Sequence, residues 1–276
     1  MPLPGTEFYW DDSLSSLERW YCRILGIPII GLRIRLRRLA KLLPGNATTV
    51  LDAGCGRGVI TRALARRYPQ ATIDAVDENP DAQHSNALLS ERMGLGNCHH
   101  IVADIAQYEA ADRYDLIVSV DNLEHVSDDA AVLARFHRSM RTDGILVIHV
   151  PHYYRRWPLL KWSVNFDVPG HVRPGYHLPE LIERVRHAGF TITRSGFSYG
   201  FLENLINNIS YAITGAREQR KLIYAMVFPL LNALAWLGQW SQPGMGAGAW
   251  VIAEKQLEKR HRPDSIAADK EEDSNP

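Results

Sequence analysis

A chain of 276 residues with 46% hydrophobic side chains holds enough apolar matter for one large α/β domain or two small ones. Its 31 Lys and Arg are balanced by 31 Asp and Glu, so no global field argues for a nucleic-acid partner and no DNA is expected. Cys22, Cys55 and Cys98 stand far apart without metal-ligand spacing, which disfavours a disulfide framework and a structural zinc and fits a reducing cytoplasm. The opening MPLPGTEFYWDDS lacks the basic start and apolar run of a secretion signal, so secretion is not expected.

In chain order, the segment 13–43 is helical in pattern but interrupted at Pro28. The proline ring removes a backbone donor, so two helices are predicted. In the second, Leu32, Leu36, Leu39 and Leu43 share one face, while Arg33, Arg35, Arg37, Arg38 and Lys41 occupy the others. This reads as a basic amphipathic helix, with its charges facing solvent, anionic lipid or RNA phosphates. Next, VLDAGCGRG at 50–58 joins an apolar run at 49–53 to a helical pattern from Val59. Its glycines allow a tight turn and close approach of a ligand, and the helix start beyond offers unpaired N–H groups to an anionic or carboxylate-bearing ligand.

The alternation then continues: a strand at 71–76 before Asp77, a helix at 81–93, strands at 99–103 and 114–120, a helix at 128–140 and a strand at 144–150. Apolar runs separated by helices indicate a parallel sheet covered on both faces. Such sheets bind ligands at the carboxyl ends of their strands, where Asp52, Asp77, Asp104 and Asp121 all stand. The stretch 151–177, with four prolines and many aromatics and histidines, is predicted to be a structured loop over the site. Within it Tyr153, Tyr154, Trp157 and Trp162 either line an apolar acceptor pocket or lie at a membrane interface. A helix at 178–188, a sixth strand at 190–197, helices at 201–214 and 217–240 and a last strand at 249–253 complete the pattern.

The expected organisation is an N-terminal helical segment at 1–45, serving as a lid or membrane contact, and a core at 46–200. A helical insertion at 201–247, the core's last strand at 248–255 and a charged, disordered tail at 256–276 follow. The apolar stretch 222–238 invites comparison with a transmembrane helix, but the chain must return to the side it left, and Pro229 and Asn232 interrupt it. It is expected to cover the acceptor pocket, to rest in a membrane interface, or to pack against protein, with Arg217, Arg220, Lys221, Trp236 and Trp240 at its edges. Oligomeric state is left open.

A dinucleotide fingerprint would need glycine where Val59 stands. DAGCGRG instead resembles motif I of the class I S-adenosylmethionine (SAM) dependent methyltransferases, and the chain resembles the ubiquinone- and menaquinone-pathway enzymes and related small-molecule methyltransferases. AVDENP and VADI match the family's second and third strand ends, YDLIVSVDNLEHV its fourth strand and FHRSMRTDGILVIHVP the fifth. The likeness covers residues 48–152, and GHVRPGYHLPELIERVRHAGF extends it to 197. The resemblance implies a Rossmann-like seven-stranded sheet with helices on both faces and SAM as cofactor. It places Asp52, Gly54, Cys55, Gly56, Gly58, Asp77, Glu78, Asp104, Ile105 and Asp121 around that cofactor, with Asp77 on the ribose hydroxyls and Asp104 near the adenine.

Methyl transfer requires alignment, exclusion of water and often removal of a proton from the acceptor. His125, His152 and His171 are candidate bases by their ordinary pKa, or else loop histidines bonded to backbone. Arg173 is expected to anchor its own loop. Asp121, Glu124 and His125 form D-x-x-E-H, similar to the E-x-x-E-H of metal-binding relatives such as ubiquinone-pathway O-methyltransferases and small-RNA 2′-O-methyltransferases. That likeness implies Mg2+ as a Lewis acid. The expected reaction is methyl transfer to a small lipophilic or lipid-linked acceptor, at oxygen, in the cytoplasm at the inner face of the cell membrane. Nitrogen or carbon acceptors, an RNA substrate, or a membrane-attached SAM-binding scaffold without turnover stand as alternatives.

Overall fold

The computed structural model describes residues 14–156, 159, 162–165, 170–214 and 221–256. The expected disordered tail beyond 256, Trp157, Arg217 and Arg220, and the side chain of Lys221, lie outside the described residues. Helices α1 (Ser16–Leu25) and α2 (Ile30–Ala40) flank Pro28, as the interruption predicts. They are followed by β1 (Thr49–Ala53), α3 (Val59–Arg67), β2 (Thr72–Asp77), α4 (Pro80–Arg92), β3 (Cys98–Val102), β4 (Tyr114–Val120), α5 (Asp129–Ser139) and β5 (Met140–Pro151). A small hairpin, β6 (Tyr154–Arg156) and β7 (Ser163–Val164), precedes α6 (Leu178–His187), β8 (Thr191–Ser198), α7 (Phe201–Thr214), α8 (Lys221–Gly238) and β9 (Gly248–Glu254).

Seven strands form one sheet in the order β3-β2-β1-β4-β5-β9-β8. Strands β1 to β5 run parallel, and β9 lies antiparallel to β5 and β8. This is the Rossmann-like arrangement with helices on both faces. Successive strand residues point to opposite faces, so Leu51, Ile117 and Leu146 pack with Phe136 and Leu181 on one side. Val50, Leu116 and Val147 pack with Leu36, Leu39 and Leu64 on the other. Because both faces are covered, the strands read as nearly continuous apolar runs. Local chemistry starts the helices: Ser15 and Glu18 form a capping box at α1, and Asn79 accepts from the Ala82 N–H at 3.0 Å ahead of Pro80 at the start of α4.

Helix α2 departs from the basic, outward-facing helix predicted from its leucines. Ile30 and Ile34 pack on Tyr199, Ile206, Tyr224 and Phe228 in a third cluster, while Leu36 and Leu39 pack against the sheet. An apolar contact on each side forces the intervening arginines into protein rather than solvent, lipid or RNA. Arg33 and Arg38 are buried, Arg33 Nε donates to the Ile27 carbonyl at 2.7 Å, and Arg37 Nη1 donates to Asn232 Oδ1 at 3.2 Å. Arg38 donates to Glu203 Oε2 through Nε at 3.0 Å and Nη2 at 2.8 Å, and to the Gly238 carbonyl at the end of α8 at 3.0 Å. Lys41 Nζ donates to the Gln239 carbonyl at 2.7 Å. Helices α1, α7 and α8 therefore form one helical layer, with α2 between that layer and the sheet. No helix among the described residues is long and apolar enough to cross a membrane.

Glu203 is 0% exposed, so removing it leaves a buried guanidinium without its counter-charge. Glu203→Ala is expected to lower unfolding free energy by about 3–5 kcal/mol, read from urea unfolding, with Glu203→Gln costing less because it keeps one acceptor. A loss below about 1 kcal/mol for the alanine variant would show that the pair is not buried in solution.

Candidate active site

After β1 the chain turns through Gly54 (φ +75°) and Gly56 (φ +51°), a backbone region that side chains disfavour. The Gly54 and Cys55 N–H groups donate to the Val76 carbonyl at 2.9 and 3.0 Å. A Cβ on Gly54 would collide with the Asn122 side chain, whereas one on Gly56 would meet nothing within 4 Å. Gly56 thus turns open space toward the strand ends. Its N–H donates to Asp77 Oδ2 at 2.8 Å, and its carbonyl accepts from Asn86 Nδ2 at 2.8 Å. Gln83 Nε2 donates to the Ala75 and Ile101 carbonyls, each at 2.7 Å, so α4 fastens the loop and two strands together.

These elements enclose a cavity of about 460 Å³. Gly54, Gly56, Asp77, Glu78, Asp104, Ile105 and Asp121 line it, joined by His125 and by Asn122, Val126 and Ser127, which sequence reasoning did not single out. Asp104 also holds its own turn, accepting from the Ala106 N–H at 2.7 Å. Asp52, Cys55 and Gly58 lie beneath the cavity instead of in its wall. Asp52 is 2% exposed and accepts from Thr61 Oγ1 at 2.6 Å, and burial raises its carboxyl to about 7 despite that hydrogen bond. The Cys55 thiol points to Gln83 Oε1 at 3.4 Å and is pushed far up by burial, which suits packing and not nucleophilic chemistry. A Cβ on Gly58 would meet Arg62 and Asn86.

The turn after β4 forms the opposite wall. Asp121 sits at φ +48°, and its N–H donates to the His149 carbonyl at 2.8 Å. Its carboxylate pairs with Arg35 and accepts from His149 Nδ1 at 2.9 Å, while His149 Nε2 lies 2.7 Å from Ser198 Oγ. Burial would raise the Asp121 pKa, but the Arg35 charge and the His149 hydrogen bond outweigh it and hold the carboxyl well below the usual range. Glu124 is 1% exposed, and among the described residues neither of its carboxyl oxygens has a hydrogen-bond partner. Burial, then the neighbouring Asp121 charge, pushes it up to about 8.

His125 is exposed, and its Nδ1 lies 3.0 Å from the Gly170 carbonyl. A carbonyl can only accept, so Nδ1 is the donor, and in the neutral ring that tautomer leaves a lone pair on Nε2. The His171 ring meets His125 edge-on at 4.5 Å, and burial followed by the His125 charge lowers its pKa. Donor atoms of Glu124, His125 and His171 lie within 4.8 Å of one another. The cluster that the geometry brings together differs from the expected D-x-x-E-H set: Asp121 is turned to Arg35 and His149, and His171 stands beside Glu124 and His125 instead.

His152 does not reach the site. It is 5% exposed, its Nδ1 lies 3.2 Å from the Tyr154 carbonyl, its ring packs on Phe197 and burial depresses its pKa. Tyr153 and Tyr154 stack with His177, and Trp162 packs on the third cluster, so they do not line the cavity. Arg173 anchors its loop as expected: it pairs with Asp129 and donates to the Val126 and Ser127 carbonyls at 3.0 and 3.1 Å. Arg35 and His149 escaped notice in the sequence. The signals were present, since Ile30 and Ile34 give α2 a second apolar face and His149 interrupts the apolar strand GILVIHV.

Residues 31–195 match a family model described as a methyltransferase domain, which takes in the glycine loop, the strand-end carboxylates and the Asp121 turn. The chain belongs to the class I SAM-dependent methyltransferases. Trans-aconitate 2-methyltransferase from Enterobacter sp. (strain 638) is 30% identical over 135 residues, 49% of this chain and 46% of that one. The chain therefore spans about half the length of this curated relative. Among solved structures, the cyclase SpnF aligns with a TM-score of 0.56 at 18% identity over 82% of each chain. Coclaurine N-methyltransferase bound to N-methylheliamine and SAH aligns with 0.52 at 19% identity, over 82% of this chain and 72% of that one. At such identity the structural likeness speaks for the fold. The cavity of this methyltransferase-family chain fits SAM, with open backbone at Gly56 and strand-end carboxylates at Asp77 and Asp104 able to accept from hydroxyls.

The Glu124 environment gives a pH signature in metal-free protein. The folded state keeps the Glu124 proton up to about pH 8, whereas the unfolded chain loses it near the ordinary value of 4.5. Between those values the native state holds the extra proton, so its contribution to stability is full below the unfolded pKa and falls as pH rises through the window. Glu124→Gln cannot lose that proton, and urea unfolding should show the wild type declining by a few kcal/mol relative to the variant from about pH 5 to about pH 9. Parallel profiles would mean that Glu124 is ionised in the fold.

Proposed function

We propose that this protein transfers a methyl group from SAM to a small lipophilic or lipid-linked acceptor, at oxygen. The observation that carries the reading is the cavity at the strand ends, where the glycine loop and Asp77 face a histidine whose Nε2 is free to take a proton. Asp77 would accept from the ribose hydroxyls, Asp104 and Ile105 would flank the adenine, and the Gly54 to Gly56 backbone would lie against the methionyl portion. Bound there, SAM supplies an electrophilic methyl on a sulfonium. His125 takes the acceptor's proton through Nε2 while the Gly170 carbonyl holds its Nδ1, and the Asp121 to Ser127 turn orients the acceptor and keeps water out.

The lipid-linked acceptor is supported by the helical layer. α1 exposes Leu17, Trp20 and Ile24, and α8 exposes Leu222, Met226, Leu230 and Trp236. Exposed apolar side chains repeated along one face of a helix are the footprint of a lipid or protein contact. We read this one as peripheral attachment to the inner face of the cell membrane. The acceptor is not set by kinship, since the matched proteins are named for trans-aconitate, for coclaurine nitrogen and for a cyclisation.

A second reading, favoured by the unpartnered Glu124 oxygens, places a divalent ion on Glu124, His125 and His171. Two imidazoles and one carboxylate suit manganese, iron or zinc better than magnesium. Such an ion would supply Lewis acidity to an acceptor oxygen, and His125 would then be a ligand and not a base.

Incubating the purified protein with methyl-labelled SAM and cell extract should place label in the organic phase. Gly56→Ala should raise the KM for SAM about tenfold, because a methyl group enters the cavity at a left-handed position. His125→Ala should lower kcat by about 10²–10⁴. Label confined to aqueous products would remove the lipophilic acceptor, and SAM binding without S-adenosylhomocysteine release would leave the scaffold alternative. Exhaustive EDTA treatment should abolish turnover under the metal reading, and unchanged turnover would eliminate it.

A further inference from the structure

A second, smaller recess adjoins the cofactor cavity and shares Asp121 with it. Its wall includes Arg35, His149, Arg155 and Tyr199. Two guanidinium groups here face one ionised carboxylate, so the recess carries surplus positive charge. Arg35 spends part of its fork on Asp121, and its buried Nε has no hydrogen-bond partner. Arg155 forms no ion pair among the described residues, yet its charge acts on Asp121, Glu124, His171 and Tyr199. Its strand is fixed from behind, where the Arg155 carbonyl accepts from Asn204 Nδ2 at 2.9 Å. Half-buried cations that lack a full set of acceptors are costly unless an anion completes them, and the guanidinium fork matches carboxylate and phosphate oxygens.

We infer that Arg35 and Arg155 form an oxyanion subsite for the acceptor, which therefore carries a carboxylate or phosphate group near the atom that receives the methyl. This rests on the methyl-transfer reading and narrows it to anionic, and if lipid-linked then anionic amphiphilic, substrates. Asp121 holds Arg35 in the manner an acceptor oxyanion would. The recess has a volume of about 10 Å³, room for one water and not for a phosphate, so the acceptor's oxyanion meets the two guanidiniums at the mouth of the recess while Asp121 stays paired with Arg35.

The test uses protein saturated with S-adenosylhomocysteine and titrated calorimetrically with inorganic phosphate and, separately, with acetate at constant ionic strength. At least one anion should bind saturably. Arg155→Gln and Arg35→Gln should each weaken that binding by about tenfold or more, with Arg155→Lys intermediate because a point charge replaces a fork. S-adenosylhomocysteine affinity in Arg155→Gln should stay within about threefold of wild type, since the donor lies on the other side of Asp121. Preference for phosphate assigns a phosphorylated acceptor, and preference for acetate a carboxylic one. Absence of saturable binding by both anions would overturn the subsite. So would a parallel loss of S-adenosylhomocysteine affinity, which would assign the arginines to the donor's own carboxylate. If wild-type protein does not bind S-adenosylhomocysteine at all, the methyl-transfer reading fails and the inference with it. Arg155→Gln breaks no ion pair among the described residues, so it remains informative if Arg35→Gln is unstable.

Discussion

A carboxylate withdrawn from water has to be matched by positive charge or by a proton, and the two carboxyl groups of the β4 turn are answered in opposite ways. Asp121 is matched by Arg35 and His149 and stays ionised. Glu124, three residues on and without a partner, keeps its proton instead. The first solution fixes architecture, because Arg35 comes from α2, His149 from β5 and the Ser198 that meets His149 from the end of β8. One side chain thereby brings the N-terminal helical segment, the centre of the sheet and its edge to the same point. The second solution leaves unsatisfied oxygens beside two histidines, which is where reactive or ligating chemistry has room to occur.

Similar charge matching stiffens the surroundings of the site. Arg173 and Arg184 converge on Asp129, which also accepts from the Tyr176 hydroxyl at 2.7 Å. The loop that supplies Gly170 and His171 is thereby held against the turn that supplies His125. Arg38 and Glu203 do the same for the helical layer. Buried ion pairs of this kind add little net stability over apolar packing, but they penalise every arrangement in which one partner is missing. Their effect here is to set register between segments far apart in sequence.

The parallel core was readable because its signals are local. Apolar runs of strand length, glycines at a strand-to-helix turn and aspartates at strand ends are consecutive in the chain, and β1 to β5 fall within a residue or two of the expected bounds apart from the longer start of β5. What was misread depended on distant partners. The Leu32 to Leu43 stripe correctly announced one buried face of α2, but the arginines looked exposed until Ile30 and Ile34 supplied a second face against α7 and α8. Asp121 entered the expected metal set through the likeness of D-x-x-E-H to E-x-x-E-H. Only the fold brings Arg35 to it from one side and His171 to Glu124 from the other. Asn122 carries no motif value, yet it occupies the space beside Gly54 that a side chain there would need.

The position of α2 between sheet and helical layer also bears on traffic. A cap that opens must be able to lift without stranding buried charge, and α2 cannot: raising it would separate Arg38 from Glu203 and Arg35 from Asp121 while exposing both apolar faces at once. The doorway must lie elsewhere. The β6–β7 pair is short and largely exposed, it carries Arg155 at the recess, and the Arg155 carbonyl ties it to Asn204 of α7. The helical layer is thus a fixed jamb, and whatever reaches the cavity passes it without moving it.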